Sequence, residues 1–282
     1  MKIRLPSVAG TFYAGNADAL RFQIEKCFLH KFGPGKIPKI NDARLKSIIG
    51  LVCPHAGYEY SGAVAAHAYY ALASDGKPDV VVILGPNHTG LGSALATVND
   101  GFWRTPLGSV EVDGETANRL VNAAKIIDVD ETAHVEEHSI EVQLPFIQYL
   151  YGSNFKFVPI CFQMQDLASA VEVGKALAEV LADKNAVIIA SSDMTHYEPQ
   201  HNASVKDLAA LKTIEDMNEE QFYSVIDQRD VTACGYGPMA SLVVAAKALG
   251  AKVAQLLCYK TSGDITGDFS SVVGYAAVCF IR

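Results

Sequence analysis

Ser47-Ile-Ile-Gly-Leu-Val-Cys53 is a continuous, mostly apolar run, which is typical of a strand buried on both faces of a sheet. Ala63-Val-Ala-Ala-His-Ala-Tyr-Tyr-Ala-Leu-Ala73 follows it and favours a helix. Asp75-Gly-Lys-Pro78 then breaks the chain before Asp79-Val-Val-Val-Ile-Leu84, which is a second buried strand. These segments predict a β-α-β unit with parallel strands.

The same alternation continues along the chain. We predict strands at 155–162 and 186–190, a C-terminal hairpin of 251–259 with 271–280, and helices at 137–150, 167–181, 205–217, 219–228 and 238–249. Pro145 should end or kink the first of these helices. Because the chain contains no repeat and no linker-like segment, residues 1–282 are predicted to form a single α/β domain. Its central sheet is expected to be mixed, mostly parallel and enclosed between helical layers.

Composition limits the classes of partner. Of 282 residues, 50% are hydrophobic, which is enough for a large core, and the net charge is -8. A surface of this charge repels nucleic acid and anionic lipid, so neither is expected as a partner. The sequence lacks a signal peptide pattern and a membrane-spanning apolar run, and its six cysteines form no C-x-x-C pair. These features predict a cytoplasmic protein.

Three predicted strands each lead into a loop that contains a histidine. His55 follows the strand ending at Cys53, His88 follows the strand ending at Leu84, and His196 comes after 186–190. The carboxyl ends of parallel strands meet at one edge of a sheet, where ligands of open α/β folds bind. A single histidine in such a loop is more often an ordinary loop residue, but three at one edge indicate a metal site open to a substrate.

Glycines bracket the first two of these loops. Gly57 and Gly62 flank the loop after Cys53, and Gly85 and Gly90 flank the loop after Leu84. Glycine permits a positive φ, which would let the chain turn sharply and direct a side chain over the sheet. Ordinary turns use glycine in the same way, so this pattern is compatible with both interpretations.

Two further residues could take part in the chemistry. Asp193 and His196 form a D-x-x-H pair, in which the carboxylate could orient the imidazole for acid–base work or cap the following turn. Cys234 lies in a glycine-flanked stretch just before a predicted helix, where the helix dipole would favour a reactive or metal-bound thiolate. The alternative for Cys234 is a buried, inert thiol.

His138 and Glu141 are three positions apart on the predicted helix 137–150 and therefore on one face of it. They could line a pocket as acid, base or substrate contact, together with Tyr58 of the first loop. A solvated helix start explains the same polar stretch equally well.

Six ordered motifs resemble those of the Memo family. They are Pro6-Ser-Val-Ala-Gly-Thr-Phe-Tyr-Ala-Gly15 followed by P-H-A-G-Y-x-Y-S-G, G-P-N-H, E-H-S-I-E-V-Q-L-P-F, S-S-D-M-x-H-Y and T-A-C-G-Y-G-P. The resemblance spans nearly the whole chain, and the chain is similar to the compact prokaryotic members labelled AmmeMemoRadiSam system protein B.

The resemblance implies a fold similar to the class III extradiol dioxygenases of the LigB type, whose iron(II) is held by two histidines and a glutamate. Matched by motif, His55 and His88 correspond to the histidine ligands, Cys234 takes the place of the carboxylate, and His196 corresponds to the acid–base histidine. The family is associated with copper or iron and with redox activity, so one copper or iron(II) ion per chain is expected. Two imidazoles and a thiolate are a softer ligand set that suits copper.

Three functions remain open from the sequence. The first is a metal-dependent oxidoreductase acting on a small molecule. The second is a non-catalytic protein that uses the pocket to bind a peptide or a partner such as a radical-SAM protein, with loop tyrosines as contacts. The third is metal-assisted hydrolysis, which needs a water-binding position and a base.

Overall fold

A single mixed sheet organises the protein. The computed structural model describes residues 2–282, and within that range twelve strands join one sheet. In chain order they are β1 (Ile3–Arg4), β2 (Ile48–Cys53), β3 (Val80–Pro86), β4 (Leu95–Thr97), β5 (Phe102–Thr105), β6 (Gly108–Val112), β7 (Asp128–Val129), β8 (Lys156–Phe162), β9 (Ala186–Ser191), β10 (His196–Glu198), β11 (Val253–Thr261) and β12 (Val272–Ile281).

Helices cover both faces of this sheet. In chain order they are α1 (Ala17–Leu29), α2 (Tyr58–Asp75), α3 (Gly114–Ala123), α4 (Leu144–Tyr151), α5 (Leu167–Leu181), α6 (Gln200–Glu215), α7 (Glu219–Arg229), α8 (Tyr236–Ala248) and α9 (Ser262–Thr266). Short 3-10 turns occupy Thr132–His134 and Glu141–Gln143. Within residues 2–282, no helix combines the length and the apolar character that crossing a membrane requires.

The strand order places the predicted loops together. The main path of the sheet is β1-β5-β6-β8-β3-β9-β2-β12-β10, and the strands from β6 through β8, β3 and β9 to β2 are all parallel. The predicted β2-α2-β3 unit is present, but β9 lies between its two strands. The carboxyl ends of β2, β9 and β3 are therefore neighbours at one edge of the sheet.

Alternate residues of each central strand face opposite helical layers. In β3, Val82 and Leu84 pack into the core formed with α3, α5, α6, α7 and α8. Val81 and Ile83 pack into the core formed with α1, α2 and α4. Because a strand buried on both faces needs apolar residues at every position, these strands have the unbroken apolar runs seen in the sequence. The predicted α/β fold class, with its mixed, mostly parallel sheet between helical layers, is confirmed.

The C-terminal hairpin is also confirmed. β11 and β12 pair antiparallel from Val253–Ile281 to Thr261–Gly274, and β12 pairs with β2 on its other side. The connection at Ser262 is a short helix, α9, that begins with a capping box between Thr261 and Asp264.

The predicted helix over 137–150 is wrong in its first half. His138 lies in an irregular segment, Glu141 lies in a 3-10 turn, and the α-helix begins only at Leu144. Pro145 occupies the first turn of α4, where a missing backbone N–H costs nothing. His138 and Glu141 therefore do not share a helix face.

The predicted turn role of the bracketing glycines is correct only for Gly90, whose φ is 70°. Gly57 has a φ of -52°. Gly62 lies inside α2, which begins at Tyr58, five residues before the predicted helix start at Ala63. Gly85 lies in β3, where a Cβ atom would overlap Oγ of Ser139. Glycine is required at 85 for close packing of the 137–139 segment, not for a turn.

Candidate metal centre

Three histidines meet at the carboxyl edge of the central strands. His55 lies two residues after β2, and His88 lies two residues after β3. His138 reaches them from the irregular segment before α4. One ring nitrogen from each histidine lies within 4.8 Å of the others, a separation that a single metal ion could bridge. The structure thus contains a three-histidine group that could hold one metal ion.

The three rings are packed against one another. The ring centroids of His88 and His138 are 4.6 Å apart and nearly stacked, and the His55 ring stands edge-on to both at 5.2 and 5.5 Å. The ring of Phe12 also packs against His138, with 4.8 Å between the ring centroids. Burial, together with the nearby ring of His88, lowers the pKa of His55 and of His138, which favours the neutral form of imidazole that binds metals.

His55 is the most buried of the three, with 2% of its surface exposed. Its Nδ1 atom lies 2.9 Å from Oγ of Ser191. Burial lowers the pKa of His55 well below its ordinary value, and the nearby rings of His88 and His138 lower it further. His55 is therefore a neutral imidazole at physiological pH.

Glu137 holds the His88 segment in place. Its carboxylate accepts hydrogen bonds from the backbone N–H groups of His88, His138 and Ser139, and Oε1 lies 2.9 Å from Nδ1 of His88. Burial alone would raise the pKa of Glu137, but the hydrogen bond and charge of His88 and the Ser139 amide outweigh it and lower the pKa to about 2. Glu137 is ionised, and its two oxygens already bond to these neighbours.

Cys234 lies against the same cluster. Its Sγ atom is 3.2 Å from Nε2 of His55 and accepts a hydrogen bond of 3.3 Å from the Asp193 N–H. The helix-dipole argument favoured a reactive or metal-bound thiolate, and burial acts in the opposite direction. Burial raises the pKa of the Cys234 thiol, although α8 begins two residues later. A bound cation would reverse this preference, because the metal replaces the proton on sulfur.

The proposed pairing of Asp193 with His196 is not found. Asp193 accepts hydrogen bonds from the backbone N–H groups of His55 and Ala56, and burial raises its pKa to about 6. The Nδ1 atom of His196 instead lies 3.0 Å from the carbonyl oxygen of Thr232, which can only accept, so Nδ1 carries the proton. Nε2 of His196 is left free to accept a proton, and Asp193 acts on the His55 loop.

Glu141 and Tyr58 lie outside the cluster. Glu141 is fully buried, forms an ion pair of 2.6 Å with Arg4 and accepts a hydrogen bond from the Tyr13 hydroxyl. The Tyr58 hydroxyl donates to the carbonyl oxygen of Val142. Both contacts hold the N-terminal segment and α2 against the 3-10 turn, so neither side chain is directed at the three imidazoles.

Sequence reasoning missed two contributors and gave a third a different role. His138 was assigned to the pocket but joins the ligand group, while Glu137 and Ser191 were not singled out. The signal for Glu137 was its place beside His138, since carboxylates commonly orient metal-binding imidazoles. Ser191 is the last residue of a buried strand and had no sequence signal beyond its position.

A separate cavity lies away from the three histidines. A space of about 690 Å³ opens beside β1 and is lined by residues that include Arg4, Trp103 and His134. The Arg4 guanidinium lies 4.1 Å above the Trp103 ring, and both side chains form part of the cavity wall. The three-histidine group is not among the residues that line it.

Comparison with known proteins identifies the family of this chain. The family model of Memo-like proteins matches residues 4–279. The chain belongs to the Memo family. A MEMO1 family protein of Methanopyrus kandleri is 53% identical over 281 residues, covering 99% of both chains. One from Methanocaldococcus jannaschii is 52% identical and covers 98% of both chains, and one from Nitrosopumilus maritimus is 47% identical, covering 99% of this chain and 100% of that protein.

A solved structure shares the fold at low sequence identity. An uncharacterized protein from Escherichia coli K12 superposes with a TM-score of 0.59 at 13% identity, covering 82% of this chain and 99% of that one. The architecture is consistent with the LigB-type fold that the sequence motifs imply.

Proposed function

We propose that the protein binds one copper or iron ion at the three-histidine group and uses it in redox chemistry on a small molecule. The observation that carries this proposal is the convergence of His55, His88 and His138, with ligand atoms within 4.8 Å of one another, beside the sulfur of Cys234. Three imidazoles and one thiol are a nitrogen and sulfur donor set.

The donor set favours copper and iron over hard cations. Calcium and magnesium require several oxygen ligands, whereas imidazole suits copper, iron and zinc, and thiolate favours copper(I). The neighbouring carboxylate of Glu137 uses its oxygens on His88 and on backbone amides. The centre therefore departs from the two-histidine, one-carboxylate pattern of the extradiol dioxygenases, and we propose electron transfer or oxidase chemistry in place of ring cleavage.

The residues of the chain have separate roles in this proposal. A bound copper or iron ion would supply one-electron redox chemistry. Burial of His55 and packing of Phe12 against His138 exclude water from one side of the cluster. His196, whose Nδ1 donates to the carbonyl oxygen of Thr232, exchanges a proton with a substrate through Nε2, and Asp193 holds the His55 loop in place.

Metal content tests the proposal directly. Protein purified without oxygen and without added metal is analysed by mass spectrometry beside His55→Ala, His138→Ala and Cys234→Ser. Near-stoichiometric copper or iron that is lost in both histidine variants supports the proposal. His67→Ala is the matched control, because His67 lies within α2 and contacts the carbonyl oxygen of Phe32, away from the cluster. A wild type that takes up neither metal on reconstitution contradicts it.

The second candidate function is recognition of a peptide or of a partner such as a radical-SAM protein beside this centre. Tyr197 is 79% exposed and Tyr60 is 42% exposed, and these residues flank His196 and His55 in the sequence. Exposed tyrosines commonly supply binding contacts. The metal-loaded variants Tyr60→Ala and Tyr197→Ala should then retain the metal but lose affinity for the peptide or partner protein, as measured by calorimetric titration. Unchanged affinity in both variants contradicts this role.

A further inference from the structure

We infer that Ser191 and Glu137 are positioning residues that hold His55 and His88, respectively, as the Nδ1–H tautomer, which leaves both Nε2 lone pairs free for the metal. The role of these tautomers in metal binding rests on the proposed function. The tautomers themselves follow from hydrogen bonds in the protein without metal, and they can be tested in that form.

The hydrogen bonds of Ser191 decide the tautomer of His55. The Ser191 hydroxyl has one proton, and it donates that proton to the carbonyl oxygen of Ser139 at 2.7 Å. The amide Nε2 of Gln143 also donates to Ser191 Oγ, at 2.8 Å. Since the hydroxyl has no second proton, the 2.9 Å contact with His55 Nδ1 must be a donation from the ring.

The orientation of Gln143 is fixed as well. Its Nε2 atom also lies 3.0 Å from the carbonyl oxygen of Pro54, and its Oε1 atom accepts from the hydroxyl of Tyr69 at 2.6 Å. A flipped amide would place oxygen against the Pro54 carbonyl oxygen. The donors and acceptors around Ser191 therefore allow a single arrangement, and this network is completely buried.

Glu137 decides the tautomer of His88. An ionised carboxylate can only accept hydrogen bonds, and Oε1 already accepts from the N–H groups of His138 and Ser139 at 2.8 Å. The 2.9 Å contact with His88 Nδ1 is consequently a donation from the ring.

The two assignments define a prepared metal centre. His55 Nε2 is unprotonated, so the 3.2 Å contact with Cys234 is a donation from the thiol to the ring. In water, neutral histidine favours the opposite tautomer, with the proton on Nε2. An unsupported ring would have to move that proton before binding a metal, and residues that remove this need typically contribute 10–100-fold to metal affinity.

Nitrogen-15 NMR tests the tautomers directly. Long-range proton–nitrogen correlation spectra of the ¹⁵N-histidine-labelled full chain, treated with chelator, distinguish protonated from unprotonated ring nitrogens. Signals of His55 and His88 among the eight histidines are assigned by their loss in His55→Asn and His88→Asn. We expect Nδ1–H in both rings. After Zn²⁺ is added as a diamagnetic probe, both Nδ1–H groups should persist while both Nε2 signals shift. A proton on Nε2 of either ring in the metal-free wild type overturns the inference.

Variants separate positioning from general stability. Ser191→Ala should move the His55 proton to Nε2 and weaken Zn²⁺ binding about 10–100-fold. Ser241→Ala is the matched control, since Ser241 is buried and its hydroxyl has no hydrogen-bond partner within residues 2–282. Glu137→Gln should weaken Zn²⁺ binding by a similar factor, whereas the same change at exposed Glu136 should leave it within about twofold. An unchanged His55 tautomer in Ser191→Ala overturns the role of Ser191.

The two proposals fail in different ways. If both rings carry Nδ1–H but the protein binds neither Zn²⁺ nor copper nor iron, the proposed function is wrong and the tautomer assignment stands. If metal binds tightly while either ring carries Nε2–H, the tautomer assignment is wrong and the metal centre stands.

Discussion

Sγ of Cys234 lies 3.2 Å from Nε2 of His55, although 179 positions separate the two residues. Hydrogen bonds with residues 192 and 193 hold Cys234 in this position. Asp193 donates its backbone N–H to Sγ and accepts the N–H of Cys234, and the Gly235 N–H donates to the Ser192 hydroxyl. The segment after β9 thus fixes the cysteine loop against the histidine that follows β2.

Substitution of this cysteine should change metal preference. Cys234→Ser replaces a soft donor with a hard one, so we expect copper(I) affinity to fall at least about tenfold, with a smaller loss for zinc. Competition titrations with copper(I) and zinc chelators measure both constants. Cys258→Ser is the control, because Cys258 is also partly buried and lies against Phe32, away from the cluster. Equal losses for both metals would contradict a ligand role for the sulfur.

The buried pair of Arg4 and Glu141 should make stability depend on pH. Burial alone would raise the pKa of Glu141, but Arg4 and hydrogen bonds from Ser7 and Tyr13 lower it below its ordinary value of 4.5. The stabilisation that ionised Glu141 gives to the folded protein is therefore complete above pH 4.5, and it is lost as the pH falls through the folded-state pKa of Glu141. Glu141→Gln should cost about 3–5 kcal/mol at pH 7, and less in acid.

Denaturant unfolding between pH 3 and 7 measures this difference. Glu111→Gln breaks the exposed pair with Lys156, whose side chains are about half exposed, and should cost about 1 kcal/mol or less. If the stability gap between wild type and Glu141→Gln stays constant across this pH range, the ion pair is not its source.

Close packing behind the metal centre predicts a specific sensitivity at Gly85. A methyl group there would overlap the Ser139 side chain and displace the segment that carries Glu137 and His138. Gly85→Ala should cost about 1–3 kcal/mol of stability and weaken zinc binding. At Gly57 the nearest atom to an added Cβ is 3.5 Å away, so Gly57→Ala should be tolerated. Thermal melts and zinc titrations compare the two variants. Equal stability and equal zinc affinity of Gly85→Ala and Gly57→Ala would contradict the prediction.

Tyr197 has a strained backbone, with a φ of 60° at a bulge in the pairing of β10 with β12. A left-handed conformation costs roughly 1–2 kcal/mol for a residue with a Cβ atom. Tyr197→Gly should therefore be more stable than Tyr197→Ala, by about 0.5–1 kcal/mol after the greater chain entropy of glycine is subtracted. At the neighbouring Glu198, where φ is not positive, the order of the glycine and alanine variants should reverse. Urea unfolding of the four variants measures the order of stability at both positions.

Local patterns in the sequence predicted the strands that are buried on both faces and the helices that are buried on one clear face. The helix predicted at 167–181 is α5 with the same bounds, and the strand predicted at 155–162 is β8 to within one residue. Short strands such as β1, β4 and β7 were missed, because two or three residues form no period and pair only when the rest of the sheet is present.

The segment before α4 shows where such patterns fail. Its spacing of polar and apolar residues fits a helix, yet its backbone amides bind the carboxylate of Glu137 in an irregular turn. The N–H groups of His138 and Ser139 donate to the Glu137 carboxylate of the same segment, which also accepts the N–H of His88 in the loop after β3. Propensity is too weak to outweigh a buried, ionised carboxylate with several hydrogen bonds.

The sequence by itself determined the α/β class, the Memo family and the loops that carry His55, His88 and Cys234, because strand periodicity and ordered motifs are local properties of the chain. The tertiary structure alone decided which groups meet. It inserted β9 between β2 and β3, brought His138 into the ligand group, turned Glu141 towards Arg4, and placed Ser191 and Glu137 behind the imidazoles. These contacts depend on strand order and on the satisfaction of buried polar groups, which no local pattern encodes.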